Sequence, residues 1–363
     1  MKRNILLNPG PATTTDTVKQ AMVVPDICPR EKEFGKVMEE VSRGLVKIAA
    51  NEEEYIAILF GGSGTAGVEA VLTSVGTVGN SILVINNGAY GARMCQICEA
   101  YGISYKEFKD SPMKELDFDR LEQYLEEHHR EHQYIAMIHS ETTTGLINDI
   151  GRVGAMAEKY GIKLIVDAMS SFAGIPIDMK EMNVTYLVSS SNKNIQGMAG
   201  IVFVICQKDA LLALKGTKPR NFYLNLYAQY EYFKKEYQMR FTPPVQTIYA
   251  LRQALMELEE ETLEGRYARY KENWKTLDDG LERLGFVRPL PKKVQGPIIT
   301  TVLEPEDEKF SFEKMHDYLY ERGFTIYPGK IGEKKTFRIA NIGAIDRHDI
   351  ESFLSCLEEY LKK

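Results

Sequence analysis

The sequence predicts an α/β fold, with a mostly parallel seven-stranded sheet between helices forming a large domain and a small C-terminal α+β domain after it. Three observations lead there. From about residue 55 to 206, short β-rich runs alternate with helical stretches, the pattern of a parallel sheet covered on both faces. After about residue 245 the chain becomes helical and rich in Leu, Glu, Arg and Lys. Its 363 residues also exceed what one small core organises.

The expected strands are Tyr55–Phe60, Ser81–Ile85, Ile103–Phe108, Tyr134–His139, Lys163–Val166, Thr185–Ser189 and Ile201–Ile205, with helices between most of them, such as Asp117–Glu127 and Ile150–Tyr160. Beyond them one long helix is expected from Gln246 to Leu284, then punctuation at Pro289, Pro291 and Gln295-Gly296-Pro297. Short strands follow at Ile298–Leu303, Phe324–Tyr327 and Thr336–Ile339. A helix capped by Ser311 runs to Arg322, and a last helix spans Arg347–Leu361. The expected division is 1–245, a large domain with an N-terminal arm, and 246–363, a linking helix and small domain.

Composition excludes several function classes. A net charge of −6 argues against nucleic-acid binding, which needs a basic face. No run approaches the roughly 20 apolar residues that span a bilayer. The start, Met1-Lys2-Arg3-Asn4-Ile5-Leu6-Leu7-Asn8-Pro9-Gly10-Pro11, has too short an apolar stretch for a signal peptide, so a cytoplasmic location is expected. Five scattered cysteines do not make a disulfide framework. The Cys95-Gln96-Ile97-Cys98 pair lies in a helix without a second pair or clustered histidines, so it reads as two ordinary thiols and no metal site is expected.

Three motifs carry chemistry. Phe60-Gly61-Gly62-Ser63-Gly64-Thr65-Ala66-Gly67 follows a strand and opens a helix. Its glycines and hydroxyls, with free N–H groups at the helix start, suit a phosphate. No Gly-Lys-Ser/Thr follows, so it is not a P-loop, and no ribose-binding acid ends the next strand, which weakens a dinucleotide reading. A Gly-rich turn with a Ser or Thr cap is the plain alternative. Next, Asp167 ends the apolar run Leu164-Ile165-Val166, at the sheet edge where ligands bind. A carboxylate there calls for a cationic partner unless it caps a helix. Finally, Lys193 follows the run Tyr186-Leu187-Val188 among Ser, Asn and Gly, unlike a solvated surface lysine. A confined lysine has a lowered pKa and attacks carbonyls. Together, a phosphate turn, a strand-end Asp and a Lys 26 residues later match what proteins contribute to pyridoxal phosphate chemistry: an imine-forming lysine and an acid for the pyridinium nitrogen. A nucleotide-binding dehydrogenase would leave Lys193 unexplained.

Across essentially its whole length the chain resembles the fold-type I pyridoxal phosphate aminotransferases of the alanine–glyoxylate/serine–pyruvate branch. The resemblance runs through Leu6-Leu7-Asn8-Pro9-Gly10-Pro11, Gly62-Ser63-Gly64-Thr65, Asn87-Gly88-Ala89-Tyr90-Gly91, His139-Ser140-Glu141-Thr142-Thr143-Thr144-Gly145, Val166-Asp167-Ala168-Met169, Ser190-Ser191-Asn192-Lys193, Arg240-Phe241-Thr242-Pro243-Pro244 and Tyr327-Pro328-Gly329-Lys330. Glu141-Thr142-Thr143-Thr144-Gly145 and Ile175-Pro176-Ile177-Asp178 are particularly like the members that act on aminoethylphosphonate. The resemblance implies pyridoxal 5′-phosphate as cofactor, a homodimer with shared active sites, and transamination between 2-aminoethylphosphonate and pyruvate; a serine or alanine donor with glyoxylate or pyruvate is the alternative. It implies that Lys193 forms the imine and shuttles the proton, and that Asp167 holds the ring nitrogen. By the same likeness Ser63, Gly64, Thr65 and Asn192 bind the cofactor phosphate, with Thr242 added from a partner subunit. Tyr90 stacks on the ring, Thr142 approaches its hydroxyl, and Arg338 and Arg30 bind the substrate anion. The chain departs from the family pattern at Asn8, at Gly61, and in Asp26-Ile27-Cys28-Pro29-Arg30-Glu31 and Asn194-Ile195-Gln196-Gly197.

Overall fold

A computed structural model describes residues 4–363. The chain runs β1 (Ile5–Leu6), α1 (Asp16–Gln20), α2 (Lys32–Lys47), β2 (Tyr55–Gly61), α3 (Gly64–Val75), β3 (Ile82–Asn86), α4 (Ala89–Ala100), β4 (Tyr105–Lys109), α5 (Phe118–His128), β5 (Tyr134–Ile138), β6 (Ser140–Glu141), β7 (Leu146–Ile147), α6 (Ile150–Lys159), β8 (Lys163–Asp167), β9 (Val184–Ser190), β10 (Ile201–Gln207), α7 (Lys208–Leu212) and α8 (Leu226–Glu236). It continues with α9 (Val245–Glu261), α10 (Leu263–Arg283), β11 (Ile299–Leu303), α11 (Phe312–Glu321), β12 (Phe324–Thr325), β13 (Tyr327–Ile331), β14 (Lys334–Ala340) and α12 (Arg347–Leu361).

Seven strands form one sheet in the order β2-β10-β9-β8-β5-β3-β4. Only β10 runs against its neighbours, β2 and β9; the other pairings are parallel. Strands β3, β5 and β9 are buried at every position, which is why they read as continuous apolar runs rather than alternating ones. A second sheet, β11-β14-β13, carries the C-terminal part.

Helix α3 lies against the middle of the large sheet. Gly67 faces β9 and β10 so closely that a Cβ there would lie 2.7 Å from Val188 Cγ1 and press harder still on Val202. Gly67→Ala is therefore expected to destabilise the fold by about 1–3 kcal/mol, the usual cost of overpacking, read as a lower denaturation midpoint in urea.

Two expectations change. The long helix is two helices, α9 and α10, because Thr262 takes a left-handed φ of 66°; its hydroxyl then accepts from Gly265 N at 3.1 Å and starts α10. The strand expected at Phe324–Tyr327 is divided at Ile326, with β12 pairing to β1 and β13 to β14. Packing crosses the expected boundary at 245. Val245, Ile248, Leu251 and Leu258 of α9 join the core of the large sheet, while Ile5 and Leu7 of the N-terminal arm join the core formed by Leu277, Leu319, Phe337 and Phe353. The arm is thus tied to the C-terminal unit, with Leu7 N donating to Thr325 O at 2.8 Å. Among the described residues, no helix is long and apolar enough to cross a membrane.

Candidate active site

The parallel strands point their carboxyl ends to one edge, and the sequence motifs meet there. Asp167 is the last residue of β8. Lys193 lies three residues past the end of β9, Tyr90 is the second residue of α4 after β3, and Gly64 opens α3 after β2. Gly64, Thr65, Tyr90, Asp167 and Lys193 line one cavity of about 150 Å³, together with Val68, Arg93, Met94 and Met169. A larger groove of about 500 Å³ between α2 and α9 holds no comparable set of groups at a strand edge.

The charges in the cavity are strongly shifted. Burial pushes the Asp167 carboxyl up to about 6, against the hydrogen bond it accepts from Met169 N at 2.8 Å and the pull of Lys193 and Arg93. Burial likewise pushes the Lys193 amine down to about 8, against the pull of Asp167 and with that of Arg338. A lysine that loses its proton near pH 8 is a usable nucleophile and base. Its Nζ donates to Pro9 O of the N-terminal arm, and Gly10 leaves no room for a side chain above it.

The other expected residues divide. Thr142 is buried, with Oγ1 2.7 Å from Ser170 Oγ. Arg338, on β14, has one buried nitrogen, Nε, without a hydrogen-bond partner, while its other branch donates to Pro328 O at 3.2 Å. Ser63 stands at the N-cap of α3 but is exposed and makes no capping bond. Asn192 does not line the cavity; its carbonyl accepts from Ala12 N at 3.0 Å. Thr242 is exposed on the loop before α9. The Arg30 guanidinium donates to the carbonyls of Met239 at 2.6 Å and Arg240 at 3.3 Å and lies 5.2 Å from the Tyr232 ring centre. Those contacts are structural, and Arg30 is not among the residues that line the cavity.

Sequence reasoning missed Arg93 and Glu141. The Arg93 guanidinium lies 4.7 Å from the Tyr90 ring centre, as expected for residues three apart on one helix; that spacing was the available signal. Glu141 is fully buried beside the same turn. Both thiols of the CxxC pair on α4 are free and buried, and burial pushes them up to about 11 and about 12.

An anion-binding helix start, a buried carboxylate, an aromatic ring and a depressed lysine around one cavity fit pyridoxal 5′-phosphate, and the orphaned Arg338 Nε fits a second anion nearby. Fold and site define an aminotransferase. The aminotransferase class-V family model matches residues 18–344, and the chain belongs to that family, whose cofactor is pyridoxal 5′-phosphate. It is 39% identical to a 2-aminoethylphosphonate–pyruvate transaminase of Phocaeicola vulgatus over 100% of both chains. It is 41% identical to one of Salmonella schwarzengrund, over 97% of this chain and 96% of that one. A bifunctional phosphonoacetaldehyde hydrolase/aminoethylphosphonate transaminase of Clostridioides difficile is 41% identical over 99% of this chain, which spans 56% of that relative's length. Among solved structures, an alanine–glyoxylate aminotransferase from Nostoc sp. superposes with a TM-score of 0.91 at 26% identity, covering 99% of this chain and 96% of that one.

Proposed function

We propose that the chain catalyses reversible transamination between 2-aminoethylphosphonate and pyruvate, giving phosphonoacetaldehyde and alanine. The observation that carries the chemistry is the meeting of Lys193 and Asp167 in one cavity at the start of α3; the full-length relatives above support the choice of donor. Pyridoxal phosphate, when bound, supplies the carbonyl that captures the amine and a ring that takes up an electron pair. The N–H groups of Gly64 and Thr65 at the start of α3, which line the cavity, would hold its phosphate, next to the Ser63 hydroxyl at the helix N-cap. Asp167 would keep its negative charge toward the ring nitrogen, Tyr90 would supply an aromatic face for the ring, and the Thr142 hydroxyl would supply a hydrogen bond to the ring oxygen. Lys193 Nζ takes the proton from the amine-bearing carbon of the donor and returns it on the cofactor side. Arg338 pairs with the donor's phosphonate and, in the second half-reaction, the carboxylate of pyruvate.

The reading includes a homodimer in which Thr242, exposed in one protomer, completes the phosphate site of the other, and a cytoplasmic setting, supported by five free cysteines. The likeness to the alanine–glyoxylate enzyme favours one second reading, an alanine or serine donor with glyoxylate. A donor panel separates the two. The proposal expects kcat/KM for 2-aminoethylphosphonate to exceed that for serine by about 10-fold or more, with alanine, the product of the proposed reaction, reacting in reverse. The reverse ranking would favour the second reading. Arg338→Lys is expected to raise KM for 2-aminoethylphosphonate by about 10-fold, because a point charge replaces a planar fork.

A further inference from the structure

Glu141 is a buried carboxylate with no assigned task. It is 0% exposed, and among the described residues no ion pair is made to it. Burying such a group is costly, and its charge works against ionisation of Asp167, so its presence demands a local return. Three donors converge on it. Oε1 accepts from Thr143 N at 3.1 Å and from Thr143 Oγ1 at 2.6 Å, and Oε2 accepts from Tyr90 N at 3.2 Å. Gly88, just before Tyr90, gives way to the carboxylate, since any Cβ there would strike it. One side chain therefore ties the turn bearing Tyr90 to the β6–β7 turn bearing Thr142. The tie extends further. Thr143 O accepts from the buried Thr301 Oγ1 at 3.0 Å, and Thr301 on β11 pairs in register with Arg338 on β14.

We propose that Glu141 is a positioning residue for the anionic substrate: through Thr143 and Thr301 it sets where Arg338 stands relative to Tyr90 and the cofactor floor. This rests on the reading of Arg338 as the anion clamp. A carboxylate suits the task because it is acceptor-only with two oxygens. A glutamine there would set an NH2 group against either the Tyr90 N–H or the Thr143 donors and displace one turn from the other.

The test measures binding of phosphonoacetate, an anion without an amine, to the cofactor-loaded protein by calorimetry, for wild type, Arg338→Ala, Glu141→Gln and Thr301→Val. The expected result is a Kd about 100-fold weaker for Arg338→Ala and about 10-fold weaker for both Glu141→Gln and Thr301→Val, with cofactor content and its absorption unchanged in Thr301→Val. In turnover, Thr301→Val raises KM for the donor by a similar factor and leaves kcat within about threefold. Thr301→Val changes no charge and removes a single hydroxyl, so it keeps the test open if Glu141→Gln does not fold. A Kd unchanged in Thr301→Val overturns the proposal. So does tighter binding in Glu141→Gln, the sign of a charge that only repels the anion. If Arg338→Ala itself binds phosphonoacetate as wild type does, the anion-clamp reading fails instead.

Discussion

Lys193→Ala is expected to lower transamination by about 10⁴-fold, the upper range for removing a general acid–base group, and to leave the protein folded and able to bind pyridoxal phosphate only reversibly. The loss follows from geometry: Lys193 and Asp167 line the same small cavity. It also follows from charge. Burial pushes the lysine down to about 8, so its neutral, nucleophilic form grows as pH rises through 8 and is complete above about 9. Cofactor capture by the apoprotein is therefore expected to accelerate with pH and level off along a single ionisation near 8. A surface lysine would go on gaining reactivity to beyond pH 10. Stopped-flow absorbance over pH 6–10 measures this, with Lys193→Ala as the blank. A capture rate independent of pH, or one still climbing at pH 10, would remove the depressed amine from the account.

Asp167→Asn is expected to cut turnover by about 10³-fold while making the apoprotein more stable at neutral pH. The two effects share a cause. Without the cofactor, the Asp167 carboxylate is buried and its pKa is raised from 3.8 to about 6. The folded state then holds a proton that the unfolded state has released between about pH 4 and 6, so stability falls as pH rises across that window. Above pH 6 the whole penalty, about 3 kcal/mol, is present; below about pH 4 it vanishes. Asparagine has nearly the same shape and no charge, so it relieves the penalty. Urea denaturation of the apoproteins at pH 7.5 and pH 4 is expected to show the variant ahead at the first pH and level with wild type at the second. Bound cofactor reverses the order at pH 7.5, because only the carboxylate pairs with a ring cation.

The sheet was legible because its inner strands are buried on both faces and so read as unbroken apolar runs, as in Ile135–Ile138 and Leu164–Val166. Asp167 and Lys193 were legible for the same reason: a charged residue at the end of such a run stands at the ligand edge. Groups whose partners come from distant segments were not. The carbonyls that Arg30 meets lie at Met239 and Arg240, and no local pattern announces them. Arg93 carried no signal beyond its spacing from Tyr90, because its place at the cavity depends on how α4 meets the sheet. The break at Thr262 was hidden since threonine carries no signal for a left-handed φ. The N-terminal arm gave no hint of crossing to the C-terminal core, a contact set by β1 pairing with β12 some 320 residues away.

The central claim, that Lys193 and its cavity run this transamination, is tested most directly by the absorption spectrum of the purified, cofactor-loaded protein. Adding 2-aminoethylphosphonate without pyruvate is predicted to convert the cofactor's spectrum to its amine form, one equivalent per chain. Pyruvate then restores the starting spectrum, and Lys193→Ala completes neither change. A spectrum that 2-aminoethylphosphonate leaves untouched, while alanine or serine converts it fully, would contradict the account.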